Sequence, residues 1–262
     1  MTTFTGTSGQ DTITGTDSGD VIFGLQENDS LDGGAGSDYL FGNLGNDTIL
    51  GGTGIDLIEA GFGDDSIVAG DDADGVYGNA GADTIEGGAG IDALFGGQDA
   101  DSILGGTEGD LLYGNLGNDL VNGEDGTDYV HGGVGTDTVL GGNGSDSVFG
   151  GMNNDSLDGG AGADTIGGGT GNDTLTGGEG MDVFRFANIV VTVNGDTVTT
   201  NDDHITDFSA EDVINLEMFD TSFASLTITA SGSDAIITLT GDQHLILDGI
   251  NASALTDSDF IF

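Results

Sequence analysis

Twenty aspartates stand on one unbroken register of nine residues: Asp11, Asp20, Asp29, Asp38, Asp47, Asp56, Asp65, Asp74, Asp83, Asp92, Asp101, Asp110, Asp119, Asp128, Asp137, Asp146, Asp155, Asp164, Asp173 and Asp182. An ionised carboxylate offers acceptor oxygens only. The chain of 262 residues has 47 acids, no Lys and a single Arg, Arg185, so no side-chain cations balance the array. Hard divalent cations take an all-oxygen donor set, Ca²⁺ commonly with about six to eight oxygens from carboxylates and turn carbonyls. The formal charge of −46 makes the same demand, because self-repulsion of that size opposes a compact state until cations cancel it.

The elements that present the array follow from the residues around each Asp. Two residues after every one comes an apolar residue, from Ile13 and Ile22 to Leu175 and Phe184. Five residues before it stands Gly eighteen times and Ala twice, at Ala60 and Ala69, and the fourth position of the unit is Gly fourteen times. Blocks 33–41 (GGAGSDYLF), 132–140 (GGVGTDTVL) and 168–176 (GGTGNDTLT) give the unit as G-G-x-G-x-D-x-U-x, with U apolar. Glycines at its first, second and fourth positions predict positive φ and close backbone approach. The closing x-U-x triplet predicts a very short strand with U on one side and its neighbours on the other. One such strand buries nothing alone, whereas stacked copies do. Two units make a coil with a strand on each side and U residues meeting in a thin core. That is an all-β fold, a parallel β-roll (β-helix solenoid) of twenty repeats. Each Asp then lies above the Asp one coil earlier, and a Ca²⁺ in each gap of the two columns amounts to about eighteen ions, roughly +36 against the acids.

Residues 6–185 resemble the calcium-binding nonapeptide of the RTX (repeats-in-toxin) family. The resemblance implies turn aspartates that bind Ca²⁺, disorder at low calcium, and folding after export. Ser18, Glu27, Asp72, Asp99, Glu108 and Asn153 replace the fourth-position Gly, and either weaken a site or add an oxygen ligand. Residues 1–5 read as a lead-in. Only four of the 53 glycines fall in 186–262, which is β-rich and acidic. Strands are predicted there at Val183–Phe186, Ile189–Val193, Thr197–Thr200, Leu226–Ala230, Ala235–Thr240 and His244–Leu247, with a hairpin turn at Asn194-Gly195-Asp196. Segments Asp182–Phe186, Asp203–Phe208 and Glu211–Leu216 resemble the region after the repeats of serralysin-type secreted proteases. Asp259, Phe260, Ile261 and Phe262 resemble the terminal signal of type I secretion substrates. The resemblance implies export by an ABC transporter from a Gram-negative bacterium to an extracellular or cell-surface location. A start without a basic or long apolar stretch, and a chain without Cys or Pro, are compatible with that route. On this reading 186–262 is a capping and secretion-signal domain.

No enzyme chemistry is legible. The three histidines, His131, His204 and His244, share no ligand spacing and form no H-E-x-x-H, so a non-enzymatic protein is expected. A chain with one basic residue has no means of neutralising phosphates, which excludes nucleic acid, and no apolar run is long enough for a membrane span. The outer faces are more informative. Position seven on one face reads Thr12, Ser30, Thr48, Ser66, Thr84, Ser102, Leu120, Thr138, Ser156, Thr174, a hydroxyl ladder suited to water. The opposite face carries Phe23, Tyr39, Phe41, Tyr77, Phe95, Tyr113, Tyr129 and Phe149, a candidate interface for a partner, a second copy or a folded-back C-terminal domain. The expected function is a secreted calcium-binding structural or interaction element of a surface layer, matrix, biofilm or adhesion. A carbohydrate-binding accessory module is the alternative, resembling the β-roll modules of secreted epimerases, and ice binding ranks below it.

Overall fold

The computed structural model describes residues 1–186, 191–193, 196–198, 202–219, 221–239 and 243–262. The expected parallel β-roll is what forms. Each eighteen-residue coil gives one strand to each of two sheets, so that Thr48 pairs with Ser66 and Phe95 with Tyr113 in strictly parallel register. The U residues, Ile22 through Phe184, are buried between the sheets and make the core.

The strands are longer than the predicted triplets. Thr48–Thr53 is typical: it begins on the residue after Asp47, and it runs through the U residue and the next unit's Gly-Gly-x. The turn is confined to the remaining residues up to the following Asp. Only the second and fourth glycines take positive φ, as at Gly52 (113°) and Gly54 (111°). The first, such as Gly51, is needed for close approach instead: a Cβ there would lie 2.4 Å from Ala69 O and 2.7 Å from Asp56 Oδ2. At Gly51 a side chain would press on both that carbonyl and the carboxylate.

Non-glycine residues also stand at the positive-φ positions, among them Leu25 (90°) and Glu124 (70°). Glu27, Asp72, Asp99, Glu108 and Asn153 keep the left-handed backbone with φ between 64° and 80°, so five of the six fourth-position replacements leave the turn intact. Asn79 and Asn115 do the same at the second position, with φ of 78° and 77°. Gly97 lies between them in the stack, at φ 127°, with the place of a Cβ 2.1 Å from Asn79 O. Any side chain here must carry the backbone from 127° to the 77–78° of those neighbours, so Gly97→Asn is expected to cost about 1 kcal/mol and Gly97→Val, whose branched side chain resists positive φ, roughly 2–4 kcal/mol. Guanidinium unfolding of the calcium-loaded protein measures both; equal losses would remove the backbone explanation.

The two sheets continue across the composition boundary near 185. A 13-stranded sheet, here the aromatic sheet, starts at Thr3–Thr5, within the predicted lead-in, and ends with Val183–Arg185, Val213–Asn215 and Phe260–Ile261. The 14-stranded hydroxyl sheet starts at Thr12–Thr14 and continues past Thr174–Glu179 through Asp202–Ile205, His244–Leu247, Asp234–Thr238 and Thr227–Ser231. Its last two strand pairings are antiparallel. A separate hairpin joins Val191–Val193 to Asp196–Val198, with Asn194 and Gly195 of the predicted turn outside the described residues.

Candidate functional site

The repeat aspartates form two columns, one along each edge of the roll, and all of them from Asp20 to Asp182 are buried. Each carboxylate has its two oxygens in different situations. Oδ1 accepts a hydrogen bond from the backbone N–H of the Asp one coil earlier, as from Asp83 to Asp101 Oδ1 and from Asp92 to Asp110 Oδ1, both at 2.8 Å. That bond fixes the side chain across the gap between coils. Oδ2 has no such partner: in eighteen aspartates, Asp29 through Asp182, it is buried without any hydrogen bond.

The recess beside each Oδ2 is walled by oxygen. The place that a Cβ on Gly33 would fill is 2.6 Å from Asp38 Oδ2 and 2.5 Å from Gly51 O, and the same arrangement recurs along both columns. Ala60 and Ala69 stand at this position in two units. Among the described residues no three His, Cys, Asp or Glu side chains gather at one point, and the oxygens that wall each recess beside the carboxylate are backbone carbonyls. Orphaned carboxylate oxygens beside clustered carbonyls fit a hard cation such as Ca²⁺ and do not fit a soft one.

Without a cation these groups resist ionisation. Burial is the largest cause, partly offset by the Oδ1 hydrogen bond, and stacked carboxylates add to it. Together they push Asp65, Asp74, Asp101, Asp110 and Asp155 up to about 7. Asp56, Asp83 and Asp146 rise to about 6 for the same reason. An unpaired buried charge costs several kcal/mol, and here it is repeated coil after coil.

The N-terminal ends of the columns are finished differently. Asp11 Oδ2 accepts from the Thr7 N–H and hydroxyl, and Asp20 Oδ2 from the Thr16 N–H at 2.8 Å and hydroxyl at 2.7 Å. The Thr16 hydroxyl is the main reason Asp20 is held down at about 2. Thr7 and Thr16 replace the second glycine of their units, so a protein donor satisfies the oxygen that every later unit through Asp182 leaves open.

Two members of the columns escaped the sequence reading. The Asp173 N–H donates to Asp203 Oδ1 at 3.1 Å, and the Asp182 N–H to Asp212 Oδ1 at 3.0 Å. Burial, then the charge of Asp173, pushes Asp203 up to about 8. Asp212 Oδ2 accepts from the Ser209 N–H at 2.7 Å. A signal existed: Asp203-His204-Ile205 and Asp212-Val213-Ile214 repeat Asp-x-U nine residues apart, 30 residues after Asp173 and Asp182. The first of these columns then ends in register on the apolar Leu245.

The other candidate residues make the following contacts. Phe23 stacks on Phe41 with centroids 4.9 Å apart, Tyr77 on Phe95 at 5.0 Å and Phe95 on Tyr113 at 5.6 Å. Tyr129 meets Phe149 at 5.5 Å. Tyr39 lies on the same face and is 41% exposed. His131 joins the stack against Tyr113 with a buried Nδ1 that has no partner, and burial pulls its pKa down, which keeps it neutral. His204 and His244 pair through Nδ1 with Asp248 (3.2 Å) and Asp202 (2.8 Å). Phe260 is buried against Phe223 and Phe262, and Asp259 Oδ2 accepts from the Thr256 N–H and hydroxyl, so the terminal Asp259–Phe262 is part of the folded sheet end. The C-terminal strands lengthen both sheets at their ends.

Known proteins share this repeat. The RTX calcium-binding nonapeptide repeat (4 copies) matches residues 5–40, 14–49, 41–76, 50–84, 77–110, 104–139, 131–166 and 159–186. Among curated proteins none matches the chain significantly. Similar solved structures include the AlgE6R3 subunit of a mannuronan C5-epimerase from Azotobacter vinelandii, at 20% identity and TM-score 0.30 over 63% of this chain and 78% of that one. The AlgE6R2 subunit of the same enzyme aligns at 24% identity and TM-score 0.28, over 61% of this chain and 91% of its own. Extracellular lipase LipA of Serratia marcescens aligns at 16% identity and TM-score 0.22, over 98% of this chain and 40% of the lipase. With the nonapeptide matched from residue 5 to residue 186, the chain belongs to the family of RTX calcium-binding nonapeptide repeats.

Proposed function

We propose that this chain is an exported protein whose fold is switched on by extracellular Ca²⁺, and that it then serves as a structural or adhesive element through its aromatic face, without catalytic activity. The observation that carries the switch is the set of eighteen buried Oδ2 atoms lacking any partner. Cations held by Asp29 through Asp182 and neighbouring glycine carbonyls supply what those oxygens lack. In low-calcium cytosol the columns stay bare and the chain stays open, the state in which a type I transporter threads its substrate and reads Asp259–Phe262. Outside, calcium closes the roll.

Circular dichroism and calcium titration test this reading together. Little β signal is expected in EDTA, with cooperative gain of β structure and binding of many ions per chain at millimolar Ca²⁺. A full β spectrum in EDTA would overturn it.

A further inference from the structure

The aromatic sheet carries more apolar exposure than a stacked ladder explains. From Val21–Leu25 to Thr165–Thr170 its nine strands hold one charged side chain, Glu59, in a protein with 47 acids. Beside the ladder runs a second column, at the third position of each unit, where Phe62 is 64%, Leu116 52% and Met152 53% exposed. Between the two columns lies a floor of small residues, among them Gly97, Gly133 and Gly151, in register from strand to strand. The face is therefore a groove between two apolar ridges, and the groove widens near Tyr129, Phe149, Met152 and Arg185 into a recess of about 590 Å³.

Resting on the reading of this face as an interaction surface, we infer that its occupant is a second copy of this chain. Nine strands at about 4.8 Å spacing and six residues at about 3.3 Å give a face of roughly 850 Å², close to the 800 Å² or so per partner of a standard stable interface. On the face itself like-charge repulsion is limited to Glu59, because most of the acids lie elsewhere. The hydroxyl sheet and its turns carry Asp17, Asp32, Asp71, Glu86, Asp125 and Asp158. In the groove floor the amides of Asn43, Asn79 and Asn115 donate to the carbonyls of Phe41, Tyr77 and Tyr113; a neutral glycan using the remaining Asn and Tyr polar atoms is the competing occupant.

The natural chain lacks Cys, so single cysteines report the pairing directly. A mixture of Leu44→Cys, near one end, and Met152→Cys, near the other, is expected to oxidise to covalent dimers in Ca²⁺ and not in EDTA. The unmodified protein is expected at twice its 26.1 kDa monomer mass by light scattering in Ca²⁺. Phe62→Asp with Leu116→Asp is expected to weaken association on the order of 100-fold while leaving the calcium-induced spectrum unchanged. A chain that gains β structure in Ca²⁺ but stays monomeric at about 100 µM, with or without glycan bound, overturns the dimer alone. A chain that gains no β structure in Ca²⁺ overturns the calcium switch itself.

Discussion

Asp101→Asn and Asp110→Asn, made together, are expected to move stability in opposite directions with and without calcium. Asn keeps an Oδ1 that accepts the backbone N–H from Asp83 or Asp92, so the link between coils survives. What changes is Oδ2, buried and unpartnered in both residues, which becomes an uncharged NH₂. In Ca²⁺ the ions on either side lose an anionic ligand in the middle of each column, and the loaded fold is expected to lose roughly 3–5 kcal/mol per site, the scale of breaking one partner out of a buried charge pair. Without calcium the same change removes two buried charges that nothing balances, and the metal-free roll becomes easier to fold. Asp20→Asn is the control. Its Oδ2 is already held by Thr16, so the substitution is expected to have a small effect of the same size whether calcium is present or not. Guanidinium midpoints in Ca²⁺, and the trimethylamine oxide concentration needed to fold the chain in EDTA, read the two halves. If the central pair shifts both in the same direction, the columns are not cation sites.

This contrast depends on how the ends of the columns are built, and the ends are where the sequence was hardest to read. The nine-residue phase, the U core from Ile22 to Phe184 and the two dissimilar faces all announce themselves, because each rests on a side chain recurring at a fixed place. Strand length does not. Alternation of apolar and polar side chains marks only x-U-x, and the Gly-Gly-x that completes Thr48–Thr53 has almost no side chains to alternate. Asp203 and Asp212 were hidden by chain inserted between Asp182 and Asp203, which broke the register before it resumed nine residues apart. Thr7 and Thr16 read as departures from Gly, and only the three-dimensional pairing with Asp11 and Asp20 makes them caps. Sequence periodicity therefore specifies the interior of a solenoid better than its ends. At the ends the repeat must be violated, since the last ligand of a column has no further coil to lean on. Thr16, Ser209 and Leu245 are three such violations: a hydroxyl and a backbone N–H that take up a carboxylate oxygen, and an apolar side chain where the next carboxylate would be.

Acid is expected to substitute in part for calcium. In the folded, metal-free chain the carboxyls of Asp65, Asp74, Asp101, Asp110 and Asp155 are raised to about 7, and burial is the first cause in each. In the unfolded chain they titrate near the ordinary Asp value of about 3.9. A group raised on folding binds more protons in the native state, so its contribution is fully present below the unfolded value and is lost as pH rises through the folded one. Between about pH 4 and pH 7, then, the stability of the metal-free roll falls as pH increases, and a chain open in EDTA at pH 7.5 is expected to regain β structure as the solution is brought to pH 5. With calcium the sign reverses. Protons compete with Ca²⁺ for the same oxygens, so more calcium is needed to half-saturate the chain at pH 5 than at pH 7.5. Circular dichroism against pH in EDTA, and calcium titrations at the two pH values, give both slopes. A metal-free chain that remains open down to pH 5 would show that the buried carboxylates are not what holds it open, and that repulsion among the exposed acids is.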